Sequence, residues 1–296
     1  MNAFAVRQEI FHMSLEKFCR HTYGGDSDLH RACTYALQGG GKRVRPLLVT
    51  LSNQACGGNP DHAILPALAV ELVHTYSLVH DDLPTLDNDA LRRGRATVHV
   101  QFSESTALLT GDALLSDAFS LFDPDLGRAL GYPSTLSSTQ YLAMSLELAR
   151  AIGGSGMVLG QFQDVASTGS DEGTFDTLLD MHRKKTGKLM GAACVLGGLS
   201  ANASLHELTM LRTFGENLGI WFQLQDDALD GTPENGKTPH KDLEQGKLTL
   251  QRLGGATQAQ QILQQHETQV RAAAAQLDPL GHGIQQLVEL LAQRRR

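Results

Sequence analysis

With 296 residues, 41% of them hydrophobic and only 5% aromatic, the chain is long enough for one large core or two smaller ones. A formal net charge of −7 speaks against general nucleic-acid binding, which needs a basic surface to displace counterions from phosphates. Cys19, Cys33, Cys56 and Cys194 form no CxxC pair and have no regular spacing, so they indicate neither a disulfide framework nor a zinc site and fit a reducing cytoplasm.

Apolar residues recurring near every 3.6 positions predict helices over 4–21, 27–38, 44–56, 61–82, 104–121, 135–152, 174–199, 205–229, 257–277 and 281–293. The nine prolines fall mostly between these stretches, and neither strand-like alternation, internal repeat nor low-complexity linker interrupts them. The expected fold is all-α, a single-domain bundle of about ten or more helices spanning 1–296. No stretch approaches the roughly 18 consecutive apolar residues of a membrane span. Arg7, Glu9, Glu16 and Lys17 break the apolar positions of the N-terminus, so no signal peptide is read there. A soluble, cytoplasmic protein without membrane insertion is expected.

Segments 83–100 and 231–247 resist helix assignment, the first because of Pro84 and Gly94, the second because of Pro233, Gly236, Pro239 and Gly246. Each follows a cluster of aspartates, and long loops in a compact domain are often functional.

The first cluster, His80-Asp81-Asp82-Leu83-Pro84-Thr85-Leu86-Asp87-Asn88-Asp89, ends an apolar helix, because Pro84 cannot continue one and restricts Leu83 before it. Carboxylates at a helix C-terminus face the negative end of its dipole, so a compensating cation is expected, and a divalent metal suits. In the second cluster Gln223, Asp226, Asp227 and Asp230 stand at i, i+3, i+4 and i+7, on one helical face. Hard oxygen ligands of this kind suit Mg²⁺, which is commonly held by one or two carboxylates together with phosphate oxygens. Alone, either cluster reads as an ordinary helix end; two of them, on different helices, point to a shared diphosphate and metal site.

Gly39-Gly40-Gly41-Lys42-Arg43-Val44-Arg45-Pro46 supplies cations, a glycine run that lets backbone approach a phosphate, and a helix start with free amides. The GxxxxGK[ST] spacing of a P-loop is absent. Further basic clusters stand at Arg92-Arg93-Arg95, His182-Arg183-Lys184-Lys185 and Arg294-Arg295-Arg296.

From about Gln38 to Thr249 the sequence resembles the trans-isoprenyl diphosphate synthases, most nearly the bacterial farnesyl diphosphate synthases. The resemblance is carried in order by GGGKRVRP, ELVHTYSLVHDDLPTLDNDALRRGRATVH, GQFQD at 160–164, KTG at 185–187, FQLQDDALD, and GK at 236–237 and 246–247. It implies the isoprenoid-synthase fold, helices around a central cavity. It also implies a cytoplasmic homodimer that condenses isopentenyl diphosphate with allylic diphosphates, dimethylallyl and geranyl, to farnesyl diphosphate. The cofactor implied is Mg²⁺, three ions, for which Mn²⁺ can substitute. Asp81, Asp82 and Asp87 resemble the first aspartate motif and Asp226, Asp227 and Asp230 the second. Arg92, Lys185, Lys237 and Lys247 resemble contacts to the allylic diphosphate, Gly41, Lys42, Arg45, His74 and Arg93 the isopentenyl diphosphate site, and Thr186 and Gln223 neighbours of the developing carbocation. Gln161 and Asp164 match a GQxxD element. Loop 231–247 and the C-terminal arginines are expected to close over the site, because water would capture the cation.

Chain growth is expected to stop against the helix before Asp81. Tyr76, about 7.5 Å along the axis from Asp81, is the bulkiest side chain there, and with Ser77 it resembles the floor of synthases that stop at fifteen carbons. Products of ten or twenty carbons are the alternative. A di-iron carboxylate bundle is the rival from another class, since Glu9-x-x-His12 and Glu71-x-x-His74 are Glu-x-x-His pairs, but it leaves the aspartate clusters unexplained. A terpene cyclase or a non-catalytic subunit would not keep Lys42, Arg45 and all the acids.

Overall fold

Helix prevails in the computed structural model for simple local reasons. Ala and Leu favour it, prolines stand at helix starts, and polar side chains cap the free amides. The structure describes residues 3–132, 135–169, 173–229, 247–279 and 283–293. They form two compact units, each drawn from two pieces of chain: Met1–Thr50 with Asn59–Ser145, and Leu51–Gly58 with Leu146–Arg296.

The first unit holds α1 (Ala3–Thr22), α2 (Asp28–Leu37), most of α3 (Val44–Ala55), α4 (Ile64–Asp81), α5 (Val98–Gln101), α6 (Glu104–Ser120), α7 (Pro124–Ala129) and the start of α8 (Ser138–Ile152). The Ser27 and Ser103 hydroxyls accept from the amides of His30 and Thr106 to start α2 and α6. Helix α4 is apolar around most of its circumference, burying Leu68, Leu72, Val73 and Tyr76 among others, and it packs against α1, α2 and α6. Within Pro60–Asp81 an 18-residue run reaches the length and mean hydropathy (1.3) of a membrane span, but 72% of that run is buried in the protein's own core. Ser138–Ala166, at hydropathy 1.2 and 39% buried, also reaches them but is two helices, α8 and α9, separated at 153–156. Beside α4, Ala32, Val79, Leu83, Val98 and Ala107 form a cluster sealed by Tyr35 and Phe102, whose rings meet edge to face at 5.7 Å.

A two-stranded antiparallel hairpin, β1 (Leu91–Arg92) and β2 (Arg95–Ala96), pairs Leu91 with Ala96 and Arg92 with Arg95. No strand was expected, since two residues a side are too few to show alternation. Arg93 at φ 54 and Gly94 at φ 75 make the two-residue turn, in which both central residues need positive φ. The short helices α5 and α7 are likewise additions to the sequence reading.

The second unit holds the ends of α3 and α8, then α9 (Met157–Ala166), α10 (Phe175–His182), a π-helical turn at Arg183–Gly187, α11 (Lys188–Ser200), α12 (Leu205–Leu229), α13 (Leu250–Leu277) and α14 (Ile284–Ala292). Helix α12 is its axis, packing on α11, α13 and the π turn and burying Phe214, Leu218 and Trp221. The single helix expected over 174–199 is two helices joined by the π turn. Helix α13 starts at Leu250, earlier than the expected 257, and is kinked at Gly255, φ 65.

Candidate functional site

In the first unit the site is assembled at the C-terminus of α4. Asp81 ends the helix and Asp82 caps it, and the chain then folds back over the open carbonyls: the amides of Asp87 and Asp89 donate to the carbonyls of Asp81 (2.9 Å) and Asp82 (3.2 Å). Asn88 adopts φ 49, a left-handed conformation that asparagine tolerates better than most residues. The hairpin then turns Arg92 back onto Asp82, and Arg92 Nε donates to both carboxylate oxygens at 2.8 Å. Burial pushes the Asp82 carboxyl above its ordinary value, with Arg92 opposing the shift. The compensating cation expected at this helix end is therefore, for Asp82, an arginine of the same unit.

The other two hairpin arginines reach the glycine-rich loop. Arg93 Nη1 donates to the carbonyl of Gly40, and Arg95 Nη1 to that of Gln38 at 3.2 Å while its guanidinium lies over Tyr35, 4.2 Å from the ring centre. Gly41 sits at φ 116, where side chains are strained, and a Cβ there would also displace the Arg93 guanidinium from its place. Lys42 is exposed, and its carbonyl accepts from Gln8 Nε2 at 3.0 Å. Arg45 Nη1 donates to His74 Nε2 at 3.2 Å. Burial, then Arg45, Arg93, Arg92 and Arg43, hold the His74 imidazole well below its ordinary value, so it is neutral and accepts from Arg45. A cleft lined by Gly39, Glu71, His74, Asp82, Arg92, Arg93 and Arg95 joins these groups.

Tyr76 is 5% exposed and meets the His80 ring edge to face at 5.8 Å. Burial and the nearby Asp81 push its phenol up to about 12. The Ser77 hydroxyl donates to the carbonyl of His74 at 2.9 Å.

In the second unit α9 crosses the π turn. Gly160 lies so near the Lys184–Lys185 backbone that a Cβ would collide with the Lys185 amide. One turn on, Asp164 is buried; Lys185 Nζ lies 2.5 Å and Lys247 Nζ 4.0 Å from its Oδ2. Burial works to raise the Asp164 carboxyl, but Lys185 and Lys247 outweigh it and the net shift is downward. Thr186, also buried, donates to Gln223 Oε1 at 2.6 Å. Asp227 Oδ2 lies 3.2 Å from His182 Nε2 and accepts from the amide of Leu250 at 3.2 Å. Asp230 and Lys237, most of loop 231–247, and Arg294–Arg296 lie outside the described residues.

Among the described residues no three His, Cys, Asp or Glu side chains gather as a ready-made metal site. The donor set suits Mg²⁺ nonetheless, since that ion is usually completed by substrate phosphate and water rather than by an all-protein cage. The di-iron reading loses its second Glu-x-x-His pair, because Glu71 is bound to Arg43 and His74 to Arg45. Glu71, Arg43 and His182 were not singled out as site residues from sequence, although Glu71 stood in a Glu-x-x-His pair and Arg43 and His182 in basic clusters.

The sequence profile described as Polyprenyl synthetase matches residues 26–279. A farnesyl diphosphate synthase from Micrococcus luteus is 36% identical over 292 residues, 98% of this chain and 97% of that protein. A chloroplastic geranylgeranyl pyrophosphate synthase from Capsicum annuum is 39% identical over 237 residues, 79% of this chain and 62% of that one. Among solved structures, a geranyltransferase from Helicobacter pylori complexed with magnesium and isoprenyl diphosphate superposes with a TM-score of 0.79 at 30% identity, covering 97% of this chain and 96% of its own. The chain belongs to the polyprenyl synthetase family, an all-helical fold of isoprenoid synthases, and is a prenyltransferase.

Proposed function

We propose that this prenyltransferase joins isopentenyl diphosphate head to tail with dimethylallyl and then geranyl diphosphate, depends on Mg²⁺, and releases farnesyl diphosphate and inorganic diphosphate. The observation that carries the reading is the grouping on α4. His74 holds Arg45 of the glycine-rich loop, and Asp81 stands seven residues further on, roughly 10 Å along the axis. That spacing suits two diphosphates side by side.

Lys42, Arg45, His74, Arg93 and the Gly41 backbone take isopentenyl diphosphate. Arg92, Lys185, Lys237 and Lys247 take the allylic diphosphate and lower the cost of its departure by preorganised charge. Asp81, Asp82, Asp87, Asp226, Asp227 and Asp230 would hold Mg²⁺, three ions, with Mn²⁺ able to substitute. Asp82 and Asp227 have a second duty, fixing Arg92 and the start of α13, which a carboxylate's spare lone pairs permit. Bound Mg²⁺ would supply charge that stabilises the leaving diphosphate. The Thr186 hydroxyl and Gln223 carbonyl oxygen, fixed on each other, line the allylic end. The double bond of isopentenyl diphosphate attacks the allylic carbon as its C–O bond breaks, and the proton then lost goes to the departed diphosphate, so no side-chain base is required. We place the enzyme in the cytoplasm, as a homodimer, with 1–296 acting as one domain.

The test is turnover of isopentenyl and geranyl diphosphates, with the dephosphorylated alcohols separated by chromatography. Farnesol is expected, activity should vanish with excess chelator, and Asp81→Ala should lower kcat at least about a hundredfold. Tyr76→Ala should lengthen the product to twenty carbons or more. Full activity in chelator would overturn the metal assignment; a wild type releasing geranylgeranyl diphosphate would overturn the product, and the geranylgeranyl synthase relative makes that the second reading.

A further inference from the structure

The loop from Gly39 to Arg43 contains two glycines at positive φ followed by Arg43 at φ 50. A non-glycine residue persists in that left-handed region only where its surroundings determine it. Here the surroundings are a buried ion pair. Arg43 Nη1 donates to Glu71 Oε1 and Nη2 to the carbonyl of Leu37 at 2.7 Å, and both ionic side chains are 3% exposed. Glu71 lies on α4 one turn before His74, which accepts from Arg45. Residues 43 and 45 are therefore gripped by positions i and i+3 of one helix, while Lys42, just before them, stays exposed.

The pair contributes little as a source of stability, because removing two charges from water offsets most of their attraction. Its contribution is geometric. With its guanidinium committed to Glu71 and Leu37, Arg43 is turned into the core and away from any ligand the loop takes up.

We propose that Glu71 and Arg43 are positioning residues for isopentenyl diphosphate: their buried ion pair locks the left-handed turn that presents Lys42 and Arg45 to the diphosphate, and neither touches substrate. The inference rests on the reading that Lys42 and Arg45 take that diphosphate.

The experiment compares three variants with wild type by KM for isopentenyl diphosphate, KM for geranyl diphosphate, kcat and thermal midpoint. The double variant R43M/E71L removes both charges at similar volume, a change that interiors tolerate. Glu71→Gln keeps shape and one acceptor, and Lys42→Ala is the reference for the site itself. The double variant should keep its thermal midpoint and raise KM for isopentenyl diphosphate about tenfold, leaving that for geranyl diphosphate within about twofold. Glu71→Gln, the milder change and the one to rely on if the double variant does not fold, should raise the same KM about threefold. Folded variants with an unchanged KM for isopentenyl diphosphate, while Lys42→Ala raises it, overturn the proposal. Equal increases for both substrates also overturn it, by making the pair a general scaffold. If Lys42→Ala itself leaves that KM unchanged, the assignment of the loop falls instead.

Discussion

His74 is neutral because it is buried and faces arginines, and this gives it a measurable effect on stability. Its folded pKa lies below the ordinary histidine value, so at mildly acid pH the unfolded chain binds a proton that the folded chain refuses. The associated stability is fully present above about pH 6.5, the unfolded value, and is lost progressively as pH falls below it. In His74→Gln, whose carbonyl oxygen still accepts from Arg45, the urea midpoint should fall less between pH 7.5 and 5.5 than in wild type. Parallel pH profiles would show that His74 is protonated in the folded protein. Asp81, Lys42 and Arg45 stood out because their residue types and order are chemical signals. Glu71 and Arg43 did not, because their value lies in a backbone angle and a contact across 28 positions. Arg92 and Asp82 were both assigned to ligands, and nothing in their ten-residue separation announced that a tight turn would bring them together.

Among the elements, the long helices were legible and the short or irregular ones were not. Apolar periodicity located α1, α2, α3, α4, α6 and α12 closely, because each runs several turns against a core. Helix α9 went unread because the glycines at 153–160 look like punctuation. One of them is instead a packing requirement: Gly160 lets α9 lie against the π turn, so Asp164 meets Lys185. A π turn inside a helix has no composition of its own, yet it sets where Lys185 and Thr186 project, and such turns are frequent at functional sites. Gly160→Ala should push α9 off the Lys184–Lys185 backbone and lower kcat at least about tenfold, since displacements of an ångström can cost more than that. Gly154→Ala, whose Cβ would meet nothing within 4 Å, is the control and should behave as wild type. Equal activity of the two variants would show that the crossing does not govern the lysine.

At the scale of the molecule, the unexplained surface is apolar. Helix α6 exposes Leu108 (49%) and Leu109 (55%), α8 exposes Leu142 and Leu146 one turn apart, and α9 exposes Val158, Phe162 (67%) and Val165 along one face. Single exposed leucines need no explanation, but rows of apolar side chains on adjoining turns of one helix do, because soluble monomers seldom leave such surface in water. A second copy of the chain is the partner we expect, meeting its equivalent across a two-fold axis so that the same residues are covered on both subunits. A stable interface of that kind buries about 800 Å² per subunit. Two consequences follow from mass action: the thermal midpoint should rise with protein concentration, and activity should fall on dilution below the dissociation constant. Sedimentation equilibrium should return twice the 32.0 kDa chain mass at micromolar concentration. Phe162→Asp on the exposed face of α9 and Leu109→Asp on that of α6, each placing a charge in an apolar row without touching the core, should shift the protein toward monomer. A wild type that sediments as a monomer at micromolar concentration would refute the dimer, and variants that remain dimeric would place the interface on another face.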